Sequence, residues 1–256
     1  MENIRKMALE LKLPYIKNNI EEIIAEAKQL GKSSEELINE ILAKELETRR
    51  NNGIKNKIRE AKFVYKKYLE DFVFERFNKE TTLKLRELSN LEFIDNKENI
   101  LLIGNPGMGK THYAIGLGIK ACLEGRKVFF INVPNLVIEL KEAMSKNQIT
   151  AYKKRFEKYD LVLLDELGYT SFDKEGSEIL FNLISNRINV GSIIITSNLT
   201  FERWEEVFYK DPILTAALVD RIAHKSHLIN MSGESYRMEE TINWMKQIKS
   251  EDNKNG

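Results

Sequence analysis

Eight residues, GNPGMGKT from Gly104 to Thr111, constrain this chain more than any other feature, because they join an apolar run, NILLIG, to a helical pattern that begins at Lys110. The spacing G-x-x-x-x-G-K-[ST] between a strand and a helix is that of a loop built to wrap a phosphate. Glycines let successive amide hydrogens point inward, and the helix start adds its positive end. On this reading the nucleotide contacts are Gly104, Asn105, Pro106, Gly107, Met108, Gly109, Lys110 and Thr111, with His112 adding its backbone. Lys110 neutralises the β- and γ-phosphates, and Thr111 offers a hydroxyl to Mg²⁺, an ion that keeps several waters and needs few protein ligands. The expected cofactors are ATP or ADP and Mg²⁺.

What surrounds the loop fits. Short apolar strands at 99–104, 127–133, 160–167, 192–198 and 227–231 alternate with helical stretches, the pattern of a parallel sheet with helices on both faces. LVLLDE ends the third strand with two acids. Asp165 is placed to orient the Mg²⁺ shell and Glu166 to polarise the water that attacks a γ-phosphate. Asn198, in IIITSN, ends the fourth strand and is an uncharged donor for that water or for the γ-phosphate. Arg221, in ALVDRIAHKS, has the reach of an arginine finger toward a neighbouring subunit's nucleotide, and Arg237, in GESYR, that of a phosphate contact in cis.

The first third of the chain has a different texture. Apolar residues recur at helical spacing, Pro14 and Gly31 separate the units, and Ser33 with Glu36 forms a capping box for a third helix. Asn51-Asn52-Gly53 then predicts a break or bend. The next helix would carry Lys55, Arg59, Lys62 and Lys66 as a basic ridge beside Ile54, Ile58, Ala61 and Tyr65. Nine Lys or Arg against three Glu lie between Lys44 and Lys67, while the whole chain carries only +1. Such segregation suits phosphate contacts along a DNA duplex, and equally a solvated helical face. A second basic cluster, Lys153, Lys154 and Arg155, falls between the second and third strands. The domain boundary is expected between residues 70 and 80, giving a helical domain over 1–75 and an α/β domain over 76–256.

Composition closes off several classes. Hydrophobic residues at 42% with 4 prolines in 256 residues argue against disorder. The single cysteine, Cys122, makes no internal disulfide, and no apolar run approaches the roughly 18 residues of a membrane span. The beginning lacks the pattern of a secretory signal, so a cytoplasmic protein with no membrane partner is expected. His224 and His227 lack metal-ligand spacing. Cys122 reads as a small packed residue, Gly116 and Gly118 as points of close approach between helix and sheet, and Trp204, Phe208 and Tyr209 as core or subunit contacts.

Five stretches together resemble the IstB family of transposition helper ATPases, members of the AAA+ superfamily and relatives of DnaC-type helicase loaders: LKLPYIKNNIEEI, GNPGMGKTHYA, LLDELGY, TSNLTFERW and DPILTAALVDRIAHKSHLINMSGESYR. The resemblance spans nearly the whole chain. It implies a helical N-terminal domain ahead of a P-loop AAA+ core, with the Asn198 strand lying between the phosphate-loop strand and the acidic strand. It implies the roles given above to Lys110, Thr111, Asp165, Glu166 and Asn198, and matches Arg221 and Arg237 less firmly. It also favours DNA as the partner of the basic residues. Only residues 232–256 follow the last strand, enough for one helix and a tail, so a reduced or absent lid is expected and a neighbouring copy is the natural cover for the nucleotide. The implied function is an ATPase that self-assembles on double-stranded DNA and assists a partner transposase. The alternatives are a loader of the replicative helicase, a P-loop kinase, which would need a lid not evident here, and a nucleic-acid-binding module with an inert nucleotide site.

Overall fold

The computed structural model describes residues 2–188 and 190–233, together with Ser235, Tyr236, Met238, Thr241 and Trp244. Arg237, most of the final helix and the polar tail lie outside the described residues, and so does the size of any lid. The chain divides into two compact units, Met1–Lys57 and Ile58–Gly256.

The first unit is helical: α1 (Glu2–Glu10), α2 (Pro14–Leu30) and most of α3 (Ser34–Glu60). Gly31 ends α2 in the left-handed conformation at φ 59°. The expected capping box opens α3: the Ser33 amide donates to Glu36 Oε2 at 2.8 Å and the Glu36 amide to Ser33 Oγ at 3.3 Å. Helix α2 has no local side-chain cap, and Glu45 of α3 supplies one by accepting from the Tyr15 and Ile16 amides at 2.9 and 3.1 Å.

Two expectations change here. Asn51-Asn52-Gly53 does not interrupt α3, since a single Gly in a long helix costs only about 1 kcal/mol and no proline follows. The helix stops instead at Glu60, and Lys62 takes a left-handed φ of 62°. Lys62 and Lys66 therefore do not continue the helical face of Lys55 and Arg59, and the four-residue ridge is not one ridge. The cause is packing: Ala61 is fully buried, its carbonyl accepts from the Phe130 amide at 2.8 Å, and Lys62 Nζ lies 5.9 Å from the Phe129 ring centroid.

In the second unit a five-stranded sheet runs β1 (Asn99–Ile103), β2 (Val128–Asn132), β3 (Leu161–Leu167), β4 (Ser192–Ser197) and β5 (Ser226–Asn230). The spatial order is β2-β3-β4-β1-β5 and every pairing is parallel. The strand bearing Asn198 at its end thus lies between the loop strand and the acidic strand, as the family resemblance implies. Parallel strands buried on both faces must read as continuous apolar runs, and β1 and β4 are buried at every position. One face is covered by α4 (Lys79–Leu88), α5 (Glu92–Asp95) and α6 (Lys110–Leu123), the other by α7 (Val133–Ser145), α8 (Ile149–Phe156), α9 (Lys174–Arg187) and α10 (Pro212–Ala223). The result is a three-layer α/β/α unit. Fully buried Arg187 donates to the carbonyls of Phe156, Tyr159 and Ser192, tying α9 beneath the sheet, and burial pulls its pKa down to about 10.

The unit begins at Ile58 rather than between 70 and 80, because residues 58–77 pack into its core through Ile58, Phe63, Leu69, Phe72, Phe74 and Phe77. Gly116 and Gly118 do mark close approaches, and this same segment is what mostly approaches: an added Cβ would lie 2.9 Å from Leu69 and 2.9 Å from Phe63. Trp204 and Phe208 are buried core residues, whereas Tyr209 is exposed. Cys122 is buried. Among the described residues no helix is long and apolar enough to cross a membrane.

Candidate nucleotide site

The loop between β1 and α6 sits at the carboxyl ends of the strands, where open parallel sheets place their ligands. Its conformation requires glycine, as Gly107 and Gly109 show. Gly107 has φ 80° and an added Cβ would lie 2.1 Å from Ser235 Oγ; Gly109 has φ 86° and its Cβ would press on the Phe72 ring at 3.1 Å. The segment after β5 braces the loop from outside, with the Tyr236 amide donating to the Gly107 carbonyl at 3.1 Å and Asn105 Nδ2 to the Gly233 carbonyl at 3.3 Å. Lys110 folds back so that its ammonium donates to the carbonyls of Gly104 and Asn105, at 2.7 and 2.8 Å.

Beside the loop, Thr111 Oγ1 donates to Asp165 Oδ1 at 2.8 Å. Thr196 Oγ1 donates to the same oxygen at 2.7 Å and accepts from the Glu166 amide at 2.9 Å. The register of β3 on β4 shifts between Leu164 and Leu167, and within that irregularity Glu166 takes φ 63°, a conformation non-glycine residues rarely hold. Asn132 Nδ2, at the end of β2, donates to Glu166 Oε2. The Oδ1 of Asn198 is buried and has no hydrogen-bond partner among the described residues. A buried acceptor left so is costly, and a donor arriving with a ligand or water would satisfy it.

Pro106 to His112, Glu166, Thr196 and Asn198 line a cavity of about 370 Å³. The size suits a nucleotide-scale ligand. Its walls also include residues that spacing arguments do not single out: Phe72, Val73, Arg76, Phe77 and Tyr236. Arg76 lies over the Tyr236 ring at 4.9 Å, and Phe72 stacks on Phe77 at 5.9 Å between centroids. His112 is tied sideways, its Nε2 lying 2.9 Å from the Tyr68 carbonyl.

The remaining sequence-derived residues lie elsewhere. Arg221 is exposed on α10, stacked over the Phe181 ring at 4.7 Å with Nη1 3.5 Å from Ser185 Oγ, and is not part of the cavity of its own chain. Lys153, Lys154 and Arg155 form the last turn of α8, with Arg155 over the Tyr152 ring at 4.9 Å. Lys55 and Arg59 are exposed one turn apart on α3. No cluster of three or more acidic, histidine or cysteine side chains that could hold a metal occurs among the described residues. Thr111 and Asp165, touching at the loop's edge, are the donor set that suits an ion carried in with phosphates and retaining its own water.

Comparison with known proteins agrees with this geometry. An ATP-binding protein of insertion sequence IS21 from Pseudomonas aeruginosa is 33% identical over 94% of this chain and 90% of its own length. One of insertion sequence IS5376 from Geobacillus stearothermophilus is 34% identical over 93% of this chain and 95% of its own. In fold the chain is similar to AMPPCP-bound DnaA from Aquifex aeolicus, with TM-score 0.55 and 20% identity over 70% of this chain and 54% of that one. The family model for IstB-like ATP binding proteins matches residues 6–243, and this chain belongs to that family.

Proposed function

We propose that this protein is a Mg²⁺-dependent ATPase that assembles on double-stranded DNA and assists a transposase in choosing or activating its target. The observation that carries the reading is the convergence of Lys110, Thr111, Glu166 and Asn198, whose Oδ1 has no partner among the described residues, on one cavity at the carboxyl end of a parallel sheet, with Asp165 bonded to Thr111 in its wall. Gly104 to Thr111 hold the triphosphate, and Lys110 exchanges its two carbonyl partners for phosphate oxygens. Thr111 and Asp165 would hold Mg²⁺, which would supply charge neutralisation to the phosphates. Glu166 accepts a proton from the attacking water, and Asn198 positions that water or the γ-phosphate. Arg237 contacts phosphate in cis.

Arg221, held outward by Phe181, acts on a neighbouring copy's nucleotide. That assignment makes ATP the glue of a homo-oligomer and hydrolysis its release. The insertion-sequence names of the relatives support a transposase as the partner, and the unit Met1–Lys57 is the part we assign to partner and DNA contact. Lys55, Arg59, Lys62, Lys66, Lys153, Lys154 and Arg155 are the phosphate-contact candidates. Such a protein works in the cytoplasm, where DNA and ATP meet.

Two measurements test the reading. Light scattering with and without a nonhydrolysable ATP analogue should show a rise in mass, and an unchanged mass would refute ATP-driven assembly. DNA affinity measured against salt should fall with a log-log slope of roughly −0.9 per phosphate contact, and charge reversal at both Lys55 and Arg59 should flatten it by about 2. A slope that stays whole after both changes removes α3 from the DNA interface.

A further inference from the structure

The acidic pair at the end of β3 is held by an atom that neither acid supplies. Where β3 slips out of register with β4, between Leu164 and Leu167, the Glu166 amide leaves the ladder and must find another acceptor. It finds Thr196 Oγ1 at 2.9 Å. A backbone N–H only donates, so the hydroxyl accepts there and has one proton left to give, and that proton points to Asp165 Oδ1 at 2.7 Å. A single oxygen thus bridges the main chain of one acid and the side chain of the other. Thr196 is 2% exposed, so bulk water does not stand in for it. Asn198 follows two residues on, just past the end of that strand, and Thr196 and Asn198 both line the cavity.

We propose that Thr196 is a positioning residue: its hydroxyl holds the Glu166 backbone in its left-handed bulge and aims the Asp165 carboxylate at Thr111, so that base and metal-side carboxylate keep a fixed separation through the nucleotide cycle. The inference rests on the ATPase reading of the site. Thr111 Oγ1 shares Asp165 Oδ1 at 2.8 Å, and if Thr111 turns toward an incoming ion it gives up that bond while Thr196 keeps its own. Valine has threonine's shape without the hydroxyl, and serine keeps the hydroxyl without the methyl.

The test compares T196V and T196S with the parent protein, using a fluorescent ATP analogue for equilibrium binding with and without Mg²⁺, and steady-state turnover of ATP. T196V should bind the analogue in the absence of Mg²⁺ as the parent does, which also shows that it folds. Its gain in affinity on adding Mg²⁺ should shrink and its kcat should fall by roughly 10- to 100-fold with KM little changed, as loss of a hydrogen-bonding partner behind a metal-side carboxylate does. T196S should restore both. If T196V fails to bind at all, T196A, which sets no methyl against the Asp165 carboxylate, carries the same expectation. Parental turnover in T196V, or a T196S as impaired as T196V, overturns the role of the hydroxyl while leaving the ATPase reading intact. A parent protein that turns over no ATP overturns that reading, and this inference with it.

Discussion

The two units of this chain use their apolar residues in opposite ways. In Met1–Lys57 the buried apolar side chains are Ala8, Ile20 and Ile23, while Met7, Leu9, Leu11, Ile38, Leu42 and Leu46 are each at least 48% exposed. In Ile58–Gly256 two large clusters sandwich a sheet whose strands β1 and β4 are buried at every position. The difference teaches where rigidity is needed. A loop that must hold amide hydrogens around a phosphate, and a strand end that must keep two acids in a strained register, need a close-packed support. A helical unit with little core offers surface instead, and its small interior even includes a carboxylate, Glu45, spent on capping α2.

The sharpest way to break that contrast is to change chemistry in the second unit without touching its packing. Glu166→Gln keeps the side-chain volume and removes the carboxylate we propose as the base. ATP should still bind, turnover should fall by roughly 100- to 10,000-fold, and the DNA-bound assembly should outlast that of the parent. Weaker DNA binding by this variant than by the parent would refute the hydrolysis-as-release model. A smaller effect is expected from packing itself. Leu163, in β3 and 1% exposed, should destabilise the second unit by about 2–5 kcal/mol when replaced by Ala, measured as a shift of that unit's denaturant midpoint. A shift well under 1 kcal/mol would mean that the sheet relaxes around the cavity and that the support is softer than its burial implies.

How far the sequence alone reaches follows the same division. The five strands were legible to within a residue or two at either end, because each of the four buried ones has a continuous apolar run with its polar residues at or near the ends, and the phosphate loop was legible because its glycines are forced by geometry. Asn132 and Thr196 were not singled out, though each is a polar residue at or near the carboxyl end of an apolar strand, which was signal enough; the resemblance implied β4 beside β3, and what was missing was β2 on the other side of β3 and the side-chain bonds that set Asn132 and Thr196 on the acids. The aromatic part of the cavity wall was hidden for another reason. Phe72, Arg76 and Phe77 precede the α/β pattern and reach the site only because residues 58–77 fold onto the sheet's face. The helix end at Glu60 was invisible to periodicity, since what stops it is a tertiary bond, the Phe130 amide to the Ala61 carbonyl.

The gentlest test lies in the first unit. Leu42 on α3 is 55% exposed, and its neighbours one turn either way, Ile38 and Leu46, are exposed as well. A side chain already in water gives up little on becoming polar, and surface changes away from caps and cores stay within about 0.5 kcal/mol. Leu42→Ser should therefore leave the helical signal and midpoint of the first unit unchanged, in contrast to Leu163→Ala in the second. Both are leucines lying within regular elements, so the pair isolates burial as the variable. If Leu42→Ser instead unfolded the first unit, or lowered the mass of the protein in light scattering, the exposed stripe would be covered in solution, and the two units would differ in what covers their apolar residues rather than in how many they bury.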